Sequence, residues 1–228
     1  MERSSPSPCR PSGNGVRLQV RDLRFLDKGP FSFAVARGEC VGLSGRSGIG
    51  KSQLLRAITD LIPATGVILL DGRAINGFSA PVWRSRVTMV PAESFWWYDT
   101  VGAHFAAGVK GDGLTRDLKA LGLDPQSVDW EISRLSTGER QRLALLRTLQ
   151  SEPLVLLLDE PTSALDAHHT GLLEDFVRRY RERTDAAVIW VSHDPLQLRR
   201  VAARVMRMEQ DGLTEIAVSR SSSKGEGE

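Results

Sequence analysis

Short, nearly all-apolar runs punctuate this chain at residues 40–43, 87–90, 154–158 and 187–191. Such runs predict strands buried on both faces, the habit of a parallel sheet covered on each side. Helical stretches alternate with them, at residues 51–61, 140–150, 170–183 and 195–203. In the third, Leu172, Leu173, Phe176, Val177 and Tyr180 fall on one stripe at helical spacing. Residues 16–23 and 31–36 instead alternate like edge strands, and 66–70 runs into an Asp71-Gly72 turn. Residues 205–208 and 213–217 flank Asp211-Gly212 and predict a hairpin. From about Glu93 to Leu135 strand runs disappear and polar helical pieces such as 115–121 take over. The economical architecture is an α/β core carrying a helical insertion at about 93–135.

The first junction between strand and helix carries chemistry. Gly45-Arg46-Ser47-Gly48-Ile49-Gly50-Lys51-Ser52 follows the run 40–43 and precedes the helix. Strand, glycine-rich loop and helix stand in the order of a phosphate-binding loop. Glycines let backbone N–H groups turn inward on phosphates, and the helix start adds partial positive charge. Lys51 would reach the β- and γ-phosphates of a nucleoside triphosphate, and Ser52 would hold Mg²⁺. A glycine-rich turn capping an ordinary helix is the plainer account, but it leaves the full pattern unexplained.

The run 154–158 ends at Asp159-Glu160. Carboxylates at the C-terminal end of a buried strand lie where open α/β sheets bind ligands. Asp159 can orient Mg²⁺ and its waters, and Glu160 can polarise the water that attacks the γ-phosphate. Further on, Ser136 and Glu139 have capping-box spacing, so a helix begins there. Within one subunit that helix start has no reason to face its own phosphate loop.

Composition narrows the class. Net charge is +2 with both signs interspersed, so no nucleic-acid face is implied. Two cysteines argue against a disulfide framework: Cys9 lies in a tail, and Cys40 is a small strand residue suited to a reducing compartment. No apolar run approaches the roughly 20 residues that span a bilayer, and no signal-peptide stretch opens the chain. Residues 1–15 and 219–228, rich in small and polar residues, are expected to be disordered tails around a folded unit at 16–218.

Taken with these motifs, Leu135-Ser136-Thr137-Gly138-Glu139-Arg140-Gln141, Ser163-Ala164-Leu165-Asp166 and Ser192-His193-Asp194 make the chain resemble the ATP-binding subunit of an ABC transporter. The segments match the family signature (Thr137 in place of a glycine), the D-loop and the switch histidine. The resemblance implies a P-loop NTPase fold with a RecA-like core, an antiparallel β subdomain and an inserted α-helical subdomain. It also implies ATP and Mg²⁺ as cofactors and a head-to-tail dimer. Each ATP would lie between one subunit's Gly45–Ser52 loop and the other's Ser136 and Gly138, with Asp166 nearby and His193 on the γ-phosphate. The partner implied is an integral membrane permease, with the chain on the cytoplasmic face of a bacterial inner membrane; nucleic acid is not expected. Small iron-export-type ATPases are the most similar in feel.

The pattern also breaks. Where the family carries a glutamine, this chain has Ala92, with Glu93 next. Either Glu93 reaches in through a shifted loop as a Mg²⁺ ligand, or the coupling of ATP to its partner is altered. Phe25 is the nearest candidate for stacking on adenine, a core-facing aromatic being the other reading. Phe95-Trp96-Trp97-Tyr98 would line the groove that receives a permease helix, or pack the insertion onto the core. His168 and His169 point different ways on a helix start, which argues against a metal site, and His104 reads as structural. A soluble ABC ATPase clamping nucleic acid or ribosome is the alternative function; a small-molecule kinase fails on the signature and D-loop.

Overall fold

The computed structural model describes residues 15–105 and 112–216. Outside them fall Cys9, the two expected disordered tails apart from Gly15, residues 217–218, and residues 106–111 of the expected insertion. The strands are β1 (Val16–Phe25), β2 (Lys28–Ala36), β3 (Cys40–Ser44), β4 (Thr65–Leu70), β5 (Arg73–Ala74), β6 (Val87–Val90), β7 (Val155–Asp159), β8 (Ala187–Val191), β9 (Arg204–Met208) and β10 (Leu213–Ile216). The helices are α1 (Lys51–Ile58), α2 (Ala80–Arg86), α3 (Asp112–Ala120), α4 (Thr137–Leu149), α5 (Ala167–Thr184) and α6 (Pro195–Val201).

One sheet runs β10-β9-β3-β8-β7-β6. Its strands are parallel except β10, which closes a hairpin on β9. The all-apolar runs are its central strands, and strand alternation explains why they lack polar residues. Val155 and Leu157 of β7 and Ile189 of β8 join the core shared with α1 and the second sheet. Leu156, Leu158, Val188 and Trp190 point the other way, into a core with α4, α5 and α6. The α/β architecture read from the sequence is the one observed.

The second sheet is antiparallel, in the order β2-β1-β4-β5. Here one expectation is corrected: β1 is not an edge strand but pairs with β2 on one side and β4 on the other. Alternation reports which face of a strand is wet, not whether both its edges are paired.

Helix boundaries shift for local reasons. α1 ends at Ile58 rather than residue 61, because Asp60 turns left-handed (φ 59°). The Leu61 amide then donates back to Arg56 O at 2.8 Å and that of Asp60 to Ala57 O at 3.2 Å, a Schellman closure. α5 begins at Ala167, because Asp166 caps it by accepting from the His169 amide. Helix α2 is absent from the apolar pattern: it has seven residues and a single buried one, Trp83. Its signal was Ser79 followed by Pro81 at a helix start. The Trp83 indole donates to Ile58 O at 3.0 Å and so ties α2 to the end of α1.

Candidate nucleotide site

Parallel pairing brings the chemistry together. β8 lies between β3 and β7, with Leu43 and Asp159 both in register with Val191. The phosphate-type loop after β3, the acids after β7 and His193 after β8 therefore meet at one C-terminal sheet edge.

Gly45 and Gly50 are required by geometry. Both are at positive φ, 150° and 111°, and a Cβ on Gly45 would sit 2.9 Å from Met208 O. On Gly50 it would sit 2.8 Å from the stem of Lys28. Gly50 caps α1 without a side-chain hydrogen bond, so the first amides of the helix are left to another acceptor. Arg46, Ser47 and Gly48 are exposed, whereas Ile49 and Ser52 are half-buried.

Lys51 is buried, and its ammonium donates to Gly45 O at 3.0 Å and Arg46 O at 3.2 Å. Burial holds it below the usual lysine range, against the opposing pull of the Glu160 and Asp159 carboxylates. Asp159 is buried at the end of β7. Glu160, at a left-handed φ of 48°, places Oε1 3.3 Å from His193 Nε2. Burial pushes its carboxyl up; His193 and Lys51 oppose that shift, and Asp159 adds to it. Oε1 itself is buried and makes no hydrogen bond. Beside the loop opens a cleft of about 690 Å³ whose lining includes Gly45, Arg46, His193 and Arg207.

Ser136 and Gly138 lie elsewhere. Among the described residues no hydrogen bond joins either to residues 45–52. Ser136 closes the capping box of α4: its hydroxyl accepts from the Glu139 amide, and Glu139 Oε2 accepts from the Ser136 amide at 2.8 Å. A Cβ on Gly138 would sit 3.0 Å from Ala164 O and 3.0 Å from Leu165 Cδ2. Asp166 is engaged with His169, accepting at 2.8 Å from both its amide and its ring Nδ1. Among the described residues no His, Cys, Asp or Glu cluster of metal-site size exists, His168 and His169 included.

Of the two readings of Phe25 the core-facing one holds: it is buried and stacks on Phe31 with ring centroids 5.5 Å apart. Ala92 and Glu93 are both exposed in the turn after β6. Of the four aromatics, Phe95, Trp97 and Tyr98 are exposed and Trp96 is half-buried. His104 shapes this loop. Its Nε2 accepts from the Trp97 and Tyr98 amides at 2.9 and 3.0 Å, while Nδ1 faces Thr100 O at 3.0 Å. That network assigns the neutral tautomer with its proton on Nδ1. Arg147 stacks over Trp96 and Trp97 at 4.5 and 4.7 Å, a role its place on α4 did not announce. Arg142 also went unread: it binds Leu121 O at 2.6 Å and Gly122 O at 3.0 Å, joining α4 to the end of α3.

A family model described as ABC transporter matches residues 29–163, more than half the chain. This chain belongs to the ABC transporter family. As an ABC ATPase domain it binds ATP, and its class is ATP hydrolase. It is 33% identical to the probable iron export ATP-binding protein FetA of Escherichia coli (strain K12), over 79% of this chain and 86% of that one. It is 39% identical to Protein STAR1 of Oryza sativa subsp. japonica over 80% of its own length, but spans only 55% of that protein. The structure of a bacterial Atm1-family ABC exporter with ATP bound superposes with a TM-score of 0.77 at 26% identity. That match covers 91% of this ABC domain and 40% of the exporter chain.

Proposed function

We propose that this ABC ATPase hydrolyses ATP to drive a substrate through a separate membrane permease. The observation that carries the reading is the meeting of Lys51, Asp159, Glu160 and His193 at one sheet edge while Ser136 and Gly138 are turned to a different neighbour. Such a site is half complete, and a second copy set head to tail would supply the missing signature over the triphosphate.

Each residue then has a task. The Gly45–Ser52 loop and the start of α1 cradle the phosphates. Lys51 exchanges the Gly45 and Arg46 carbonyls for the β- and γ-phosphates. Ser52 and Asp159 offer hard oxygen donors suited to Mg²⁺, which would neutralise charge developing on the phosphates. Glu160 orients and polarises the attacking water, and His193 hydrogen-bonds the γ-phosphate. Glu93 is the acid available in place of the absent glutamine. Across the dimer, Ser136, Gly138 and Asp166 complete the enclosure.

The exposed Phe95, Trp97 and Tyr98 are suited to receive a short permease helix, since exposed aromatics make strong interface anchors. No helix among the described residues is long and apolar enough to cross a membrane. The chain would work beside that permease on the cytoplasmic face of a bacterial inner membrane.

The test is Glu160→Gln with ATP and Mg²⁺. Binding should persist, turnover should stop, and light scattering should find a dimer; normal turnover, or a strict monomer at saturating ATP, overturns the reading. Lys51→Ala should lose productive binding, by about 100-fold for a lost charge-assisted contact. ATPase stimulation by nucleic acid instead of by a membrane protein would favour the clamp.

A further inference from the structure

Glu160 keeps a backbone conformation that its side chain disfavours. At φ 48° its Cβ crowds the chain, and a non-glycine residue stays there only when its surroundings hold it. Two backbone bonds contribute: its amide donates to Val191 O at 3.2 Å, and its carbonyl accepts from Ser163 N at 3.2 Å.

Two buried glutamines, far apart in sequence, supply the rest. Gln141 on α4 donates from Nε2 to Glu160 O at 3.0 Å, and its Oε1 accepts from Ala164 N at 3.4 Å. Gln197 on α6 donates from Nε2 to Thr162 Oγ1 at 2.9 Å and to Glu174 Oε1 at 2.9 Å. The Gln197 Oε1 accepts from the Trp190 indole at 3.4 Å, which pins it to β8. Their exposures are 4% and 2%, so neither is a surface residue that happens to reach inward. A carboxamide offers a donor and an acceptor in one uncharged plane. Gln141 uses both on the loop's Glu160 carbonyl and Ala164 amide, and Gln197 reaches the loop through the Thr162 hydroxyl.

We propose that Gln141 and Gln197 are positioning residues that clamp the Glu160–Ala164 loop from two helices and so hold the Glu160 carboxylate beside His193. Neither glutamine lines the cleft beside the phosphate-type loop. Gln141 lies on α4 with Gly138, behind the Ser136 cap, and Gln197 lies on α6, which begins just after His193. The clamp therefore couples the helix start that faces the partner's nucleotide to the acid serving this subunit's own. The inference rests on Glu160 being the water-polarising acid.

The test uses the full chain with ATP·Mg²⁺. Gln141→Met keeps volume and removes both hydrogen-bonding groups; Gln141→Glu keeps the acceptor and removes the donor to Glu160 O. Gln197→Met is an independent arm from the other helix. Each should lower kcat tenfold or more while the Kd for ATP, measured by calorimetry, stays within twofold. In a Glu160→Gln background, Gln141→Met should lower the residual rate no further, because the two changes disable the same group. An unchanged kcat, a Kd that weakens in step with kcat, or multiplicative losses in the double variant overturns the clamp. If Glu160→Gln alone turns over normally, the parent reading of Glu160 fails instead.

Discussion

Glu160 Oε1 and His193 Nε2 stand 3.3 Å apart although 33 positions separate them (193 − 160). The pairing of Asp159 with Val191 on β7 and β8 sets that distance. The His193 side chain is more than half exposed, whereas Glu160 Oε1 is buried without a hydrogen bond. The buried acid is placed to work on a proton or water, and the exposed imidazole can swing to a ligand. His193→Ala should cut steady-state ATP turnover by about 100-fold, the loss typical of one preorganised hydrogen-bonding group. ATP affinity should change little. A variant retaining most of its rate would remove His193 from the reaction.

Gly138→Ala tests the packing of the signature helix against its own subunit. An added methyl would meet Ala164 O and Leu165 Cδ2, both at 3.0 Å. Crowding of that kind costs about 1–3 kcal/mol. Urea denaturation without nucleotide should show the loss. An exposed helical glycine in open space would instead be neutral or stabilised by alanine, and that result would refute the contact. Ser136→Ala should cost about 1 kcal/mol through the lost cap.

Trp83 joins packing to a hydrogen bond. Trp83→Ala should cost about 3–5 kcal/mol in the same assay, the range for emptying a buried aromatic. Trp83→Phe keeps most of the apolar volume but strands Ile58 O, for about 1–3 kcal/mol. An unchanged stability in Trp83→Phe would show that the indole bond contributes nothing.

Alkaline pH should destabilise the fold through Cys40 and Tyr180. Burial pushes the Cys40 thiol from 9.0 up to about 12 and the Tyr180 hydroxyl from 10.0 to about 12. Both groups fold as neutral acids, so their contribution is complete below their unfolded values. It is lost as pH rises from about 9 through about 12. Cys40→Val should flatten the part of this loss that begins near 9.0 in equilibrium denaturation. A wild-type stability that stays level through that window would contradict the burial of both groups.

Much of the site was legible because its parts are contiguous. Gly45–Ser52 needs only a strand, a turn and a helix in succession, and Ser136 caps a helix through Glu139, three residues on. The parallel strands announced themselves by lacking polar residues on either face. Less visible were elements too short for a period, such as the seven residues of α2. Phe25 read as either platform or core, since an aromatic in a strand suits both until its neighbour, Phe31, is known.

The sequence by itself determined the order and type of the central elements and the chemistry offered at each strand end, because hydrophobic periodicity and motif spacing act over a few residues. Only the tertiary structure decided which ends meet, that β1 is paired on both edges, and which helices grip the Glu160 loop. Those contacts join residues 19 and 25 positions apart, as Gln141 with Glu160 and Trp83 with Ile58. They depend on sheet order and helix packing, which no local pattern encodes.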